Sequence, residues 1–200
     1  CFGLLLRKCN AHYSYFIAER LMSIPGSASP LFLASTAAAG AYDIPRSLRF
    51  ESSASSYLNR TPSSAGNRKT WTWAGWVKRS ELGSGDCLFQ SRNGSNTEST
   101  HFELDFTSDS ISIGYGSGNW LVSSAKFRDF SSFYHVVLAV DTTQSTASDR
   151  QKIFINGTRL TDFSTNTAIT SNTDTAINNN VIHAIGARFN ASEPNLNGYL

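Results

Sequence analysis

From residue 47 to 200 nearly every segment alternates apolar and polar positions with a period of two, the pattern of strands that bury one face. The runs predicted as strands are 47–50, 56–60, 70–79, 87–91, 101–107, 110–115, 120–124, 134–142, 151–156, 158–160 and 181–188, with 198–200 opening a last one. Thr107-Ser108-Asp109-Ser110 reads as a hairpin turn. Asn156-Gly157 is the strongest short-range turn signal, because a two-residue hairpin loop needs positive φ at both central positions. The alternation assigns the faces. Val136, Leu138 and Val140 oppose His135, Val137 and Ala139; Phe102, Leu104 and Phe106 oppose Glu103 and Asp105; Ile153 and Ile155 oppose Lys152, Phe154 and Asn156. Trp71, Trp73 and Val77 share one face of their strand, with Thr72, Ala74, Trp76 and Lys78 on the other. Burying one apolar triplet contributes about 5 kcal/mol or more, at ~1.5–3 kcal/mol per side chain, so a one-residue slip in register is expensive. At least ten short strands with hairpin-scale connections predict an all-β, two-sheet antiparallel sandwich.

The pattern stops upstream of residue 46, and the chain divides into three unequal pieces. Residues 22–45 are rich in small residues, and Pro25, Gly26, Pro30, Gly40 and Pro45 break any long helix, so this stretch reads as an arm or tether with at most a short helical turn. Residues 1–21 hold two of the three cysteines and share neither composition nor pattern with the rest of the chain. They read as an N-terminal helix around residues 11–21 or as sequence upstream of a natural start at Met22, and the mismatch in character favours the second. No apolar run reaches the 18 residues that a membrane-spanning helix needs. The apolar stretch 31–34 with its small-residue tail lacks the basic flank of a signal peptide and is preceded by Pro25 and Pro30.

Composition narrows the function classes. Charged residues are 16% of the 200 and hydrophobic ones 40%, while Ser, Thr and Asn supply nearly a third, a balance that speaks against coiled coils and helical bundles. Thirteen Phe, seven Tyr and four Trp speak against wholesale disorder. The formal charge of +2 arises entirely before Met22; from there on, fourteen bases face fourteen acids. With no basic stripe, the electrostatic term that dominates nucleic-acid binding has no source. Cys1, Cys9 and Cys87 have no metal-ligand spacing, and Cys87 reads as a small buried hydrophobe.

In their order, Ser47-Leu48-Arg49-Phe50, Ser56-Tyr57-Leu58, Thr70-Trp71-Thr72-Trp73-Ala74-Gly75-Trp76-Val77-Lys78, Phe133 to Asp141, Ile153-Phe154-Ile155-Asn156-Gly157, Ile185-Gly186 and Gly198-Tyr199 resemble the strands of a laminin-G-like jelly roll of the concanavalin A-like lectin/glucanase superfamily. A narrower likeness runs through Met22 to Ser27, Arg46 to Phe50 and Asn59 to Trp73, which resemble jelly-roll domains of structural and tail-fibre proteins of tailed bacteriophages. The resemblance implies a jelly-roll domain over residues 46–200 with its last strand cut short. It also implies a virion location and other virion proteins as partners, with a secreted lectin-like adhesion module and a partial glucanase-like domain as the alternatives.

Three sets of residues are candidates for chemistry. Glucanases of this superfamily carry Glu-x-Asp-x-Glu on a strand; here Glu103 and Asp105 share a face, but Thr107 stands in place of the second Glu, so no acid catalyst is supplied and a non-enzyme is expected. The alternative for Glu103 and Asp105 is a solvated strand face. Relatives bind calcium at the sandwich rim, and Asp141, Asp149 and Asn156, near one long hairpin, are the candidate ligands for a possible Ca2+, with ordinary turn chemistry as the competing explanation. Glycan binding needs exposed aromatics beside polar partners. Trp76 and Trp120 are the stacking candidates, Trp120 with Asn119 beside it, although aromatics in a sandwich usually pack inside. His12, His101, His135 and His183 have no paired spacing and read as structural. The expectation is a non-enzymatic module that recognises a glycan or protein through rim loops and one sheet face.

Overall fold

The computed structural model describes residues 46–83, 85–94, 97–116, 118–188 and 196–200. The expectations for residues 1–21 and 22–45 lie outside the described residues. Residues 46–200 form one compact unit. Its strands are β1 (Arg49–Phe50), β2 (Leu58–Arg60), β3 (Thr70–Arg79), β4 (Asp86–Arg92), β5 (His101–Thr107), β6 (Ser110–Tyr115), β7 (Gly118–Ser123), β8 (Tyr134–Asp141), β9 (Gln151–Ile155), β10 (Thr158–Arg159), β11 (Phe163–Asn166), β12 (Ile182–Ile185) and β13 (Gly198–Tyr199). They build a six-stranded sheet in the order β1-β13-β3-β8-β9-β10 and a seven-stranded sheet in the order β11-β7-β6-β5-β4-β12-β2. Every pairing among them is antiparallel. This is the predicted two-sheet sandwich.

Register follows from the alternation. β3 pairs with β8 from Thr70↔Asp141 to Val77↔Tyr134, and β8 with β9 from Val136↔Ile155 to Val140↔Gln151. That aligns Trp71, Val77, Val136, Leu138, Val140, Ile153 and Ile155 on the inner face, all buried. From the other sheet Phe102, Leu104, Phe106, Ile111, Ile113 and Tyr115 close the core, each fully buried. Trp71 meets Phe102 edge to face at 5.2 Å, and Trp73 stacks on Phe89. The two predicted turns have positive φ at both central residues, Ser108 and Asp109 in one and Asn156 and Gly157 in the other. These conformations match the right-handed twist of the flanking strands.

Two features depart from the sequence reading. β11 lies in a Ser/Thr-rich stretch without an apolar alternation long enough to announce it, and it forms by pairing with the edge of β7 through a bulge. The Glu103/Asp105 face of β5 is not solvated: Asp105 is 1% exposed. The reason is Arg188, just past β12, whose guanidinium lies against both carboxylates. A second charged group lies between the sheets. Arg79 is buried, its Nε donating to Asp86 Oδ2 at 3.1 Å and its Nη1 to Asp109 Oδ1 at 3.1 Å and to the Phe127 carbonyl at 2.7 Å. Asp109 also accepts from Arg128 Nε at 2.8 Å and from the Gly83 N–H at 2.7 Å. These bonds make a polar clasp joining β3, β4, the β5–β6 turn and the segment before β8.

Candidate functional site

The outward face of the six-stranded sheet is built from the alternate positions of its strands, and the pairings place them in rows. Arg49, Tyr199 and Lys78 form one row across β1, β13 and β3. The next is Trp76 with His135, followed by Ala74 with Val137 and Phe154, then Thr72 with Ala139 and Lys152, and finally Thr70 with Asp141. Trp76 is 48% exposed, a large apolar group left open to solvent. Its ring lies against the imidazole of His135, centroids 4.7 Å apart and planes inclined by 30°. The backbone of His135 is held by Asn156, whose Oδ1 accepts the His135 N–H at 2.8 Å and whose own N–H donates to the His135 carbonyl at 2.8 Å. The Asn156-Gly157 turn thereby fixes the strand that carries the stacking partner. Around this pair Lys78 Nζ sits 5.9 Å from the Phe133 ring centroid, and the Arg49 guanidinium 5.9 Å from that of Tyr199.

At the far end of the same face is an open depression of about 330 Å³, lined by Thr70, Thr72, Asp141, Gln144, Asp149 and Lys152 among others. The Asp141 carboxylate accepts from Thr143 Oγ1 at 2.6 Å, from the Thr143 N–H at 3.0 Å and from Gln144 Nε2 at 2.7 Å. These bonds, led by the Thr143 and Gln144 side chains, lower its pKa to about 2. Asp149 pairs with Lys152 Nζ at 3.1 Å.

The proposed calcium set does not assemble. Asp141 and Asp149 share the depression, but Asn156 is at the opposite end of the β8–β9 hairpin, on the order of 20 Å away at ~3.3 Å per residue. Its amide oxygen is held by the His135 backbone, and an ammonium already occupies the neighbourhood of Asp149. Among the described residues no three His, Cys, Asp or Glu side chains gather as a metal site. The donors present do not fit the six to eight oxygens that calcium takes. Trp120 is half-buried against the core, edge-on to Tyr115 with ring centroids 6.0 Å apart, and its Nε1–H donates to the Tyr115 carbonyl. It is a packing residue, because both its ring and its one donor are engaged within the fold. The Asn119 side chain lies outside the described residues.

On the seven-stranded sheet, Glu103 and Asp105 share one guanidinium. Arg188 lies against both, Nε 3.4 Å from Glu103 Oε2, and His101 Nε2 is 3.4 Å from the same oxygen. Burial alone raises the Glu103 pKa, but the His101 hydrogen bond and the Arg188 charge outweigh it, and the net shift is downward. Burial pushes the neighbouring Cys87 thiol up to about 12, which removes its nucleophilic character. Gly114 leaves room for this cluster: a Cβ there would lie 2.8 Å from Glu103 Cγ. The sequence offered no signal for Arg188 as the partner of these carboxylates, since the contact joins positions some 85 residues apart. His135 beneath Trp76 was legible only once the β3–β8 register was known.

With this geometry in hand, comparison with known proteins places the chain. The family model Laminin_G_3, described as concanavalin A-like lectin/glucanases superfamily, matches residues 52–200. The chain belongs to this superfamily. No curated protein sequence matches it. Among solved structures it is similar to the CBM40 module of the Ruminococcus gnavus IT-sialidase bound to α2,3-sialyllactose, at 15% identity and a TM-score of 0.49, covering 68% of this chain and 73% of that one. It is also similar to the heptameric SAP-like pentraxin of Limulus polyphemus, at 13% identity and a TM-score of 0.48, covering 72% of this chain and 65% of that one. Membership of the superfamily extends to lectins and glucanases alike, so function has to be argued from the site.

Proposed function

We propose that residues 46–200 are a non-catalytic glycan-binding module whose binding surface is the outward face of the six-stranded sheet around Trp76. The observation that carries this reading is the half-exposed Trp76 ring resting against His135. A sugar ring offers an apolar face and a fringe of hydroxyls, and a fixed, open indole with polar groups beside it complements both. Beyond Trp76 the β3 positions on this face are the small Ala74 and Thr72, with Val137 and Ala139 beside them on β8. The non-catalytic part rests on the carboxylates. A glycoside hydrolase needs one carboxyl with a raised pKa as acid, whereas Glu103 is shifted down and Thr107 follows Asp105 at the next position on that face.

Within this reading the domain belongs to a virion or tail fibre, as its sequence likeness to tailed-phage structural proteins implies, and residues 22–45 tether it to the particle. Neighbouring genes for capsid or tail proteins would support that placement, and a functional signal sequence would replace it with a secreted adhesion module. For the binding surface the test is a glycan array followed by titration. Trp76→Ala is expected to lose at least tenfold in affinity for the hit while its melting temperature moves by no more than about 1–2 °C. Unchanged affinity in a folded variant removes the face from the account, and release of reducing sugar from the bound glycan removes the non-catalytic assignment.

A further inference from the structure

We infer that the ligand of the Trp76 face is an anionic glycan, a sugar chain bearing carboxylate or sulfate groups, bound with its charges between Arg49 and Lys78. This rests on the glycan-binding reading and adds the chemical class. Arg49, Tyr199 and Lys78 are consecutive in one cross-strand row, adjacent to Trp76, so two cations flank one aromatic ring and border another. Each cation is set over a ring, Arg49 over Tyr199 and Lys78 over Phe133, at 5.9 Å from the centroid. Phe133 is itself 39% exposed and Tyr199 is half-buried, so neither ring is fully taken up by the core.

The charge on this end of the face is uncompensated. The other basic side chains engaged on this sheet have partners: Lys152 pairs with Asp149, and Arg159 Nη2 donates to the Ser148 carbonyl. Neither Arg49 nor Lys78 has a carboxylate within 4 Å among the described residues. From Met22 onward bases and acids are equal in number, Arg49 and Lys78 included, so the local positive field comes from placement: two cations without a carboxylate partner lie beside an open indole. A guanidinium resting on an aromatic face keeps its edge N–H groups directed outward, where they match a planar carboxylate or a sulfate by paired hydrogen bonds. The ring faces supply the contact for the sugar itself. A neutral sugar leaves both cations unanswered, and an acidic peptide leaves the rings without a saccharide face to stack on.

The experiment uses matched ligands that differ only in charge. Binding of the full chain is measured by calorimetry to polygalacturonate and to its methyl ester, to dextran sulfate and to dextran, and to poly-glutamate. Expected is at least tenfold tighter binding to polygalacturonate or dextran sulfate than to its uncharged counterpart, with affinity falling as salt rises. Which of the two acidic polymers is preferred tells carboxylate from sulfate. Arg49→Gln and Lys78→Gln are each expected to weaken that binding several-fold and to flatten its salt dependence, with unchanged melting. Equal binding to charged and uncharged partners, with Trp76→Ala still losing both, overturns the anionic class and leaves the glycan-binding reading intact. Poly-glutamate binding as tightly as the sugar acids overturns it as well, since the face would then read charge alone. Binding to none of the polymers overturns the anionic inference, while the glycan-binding reading stands or falls on the array and on Trp76→Ala.

Discussion

At the scale of single residues, two glycines and two tryptophans show what the alternation can and cannot say. Gly186 has φ of +81°, and a Cβ there would come within 2.5 Å of the Phe50 ring, so both backbone conformation and space require glycine. Gly186→Ala is expected to cost about 2–4 kcal/mol from the left-handed backbone and the overpacked ring, read as a lower urea midpoint at unchanged slope. At Gly198 a Cβ would strike the Lys78 carbonyl oxygen, so substitution there forces apart the strands that set Tyr199 beside Lys78. Trp76 and Trp120 had equal standing in the sequence as aromatics that could stack on a sugar. The fold separates them. Trp120 sits where the β6–β7 pairing slips at a bulge, which turns it against Tyr115, whereas Trp76 lies in a regular ladder that keeps it facing out. Bulges are not written in period-two patterns, so this distinction was invisible before the pairing was known.

At the scale of elements, strand existence was legible wherever one face buries apolar groups: β3, β5, β6 and β8 coincide with their alternating runs to within a residue. β11 was not, because Phe163–Asn166 carries a single large apolar residue and is held by its partner strand. The polar clasp between elements was equally hidden. Nothing in the spacing of Arg79, Asp86 and Asp109 announces a buried set, since strand pairing alone brings them together. Its pH behaviour can be stated with its sign. Asp109 is held to a pKa of about 2 by hydrogen bonds from Arg128, the Gly83 N–H and Arg79. It therefore contributes stability that is complete above pH ~4 and is lost as the pH falls toward 2. Asp86 goes the other way: burial, opposed by Arg79, raises its pKa to about 6. Its stability contribution is complete below pH ~4 and declines as the pH rises through 6. Urea midpoints measured from pH 2 to 8 are expected to peak near pH 4–5, and Asp109→Asn to flatten the acid limb. A wild-type profile that rises steadily toward pH 7 contradicts this assignment.

At the scale of the whole molecule, the six-stranded sheet carries an open face graded from aromatic and cationic at one end to hydroxyl- and carboxylate-lined at the other, and the sandwich holds that face flat. Chelation with EDTA is expected to leave the melting temperature within about 1 °C, because Asp141, Asp149 and Asn156 do not converge and their oxygens have protein partners. A fall of several degrees that calcium restores would show that the domain does hold the ion. Among the described residues no helix is long and apolar enough to cross a membrane.

The strand order also bears on time. β1 finds its partner in β13, and β2 finds its partner in β12, each more than a hundred residues further along the chain. Loop closure over such distances must precede the contacts that reward it, which slows folding to milliseconds or seconds. A ribosome making this chain would release the borders of both sheets first and their mates last, so the unfinished domain would wait with exposed ladders that any neighbouring strand could join.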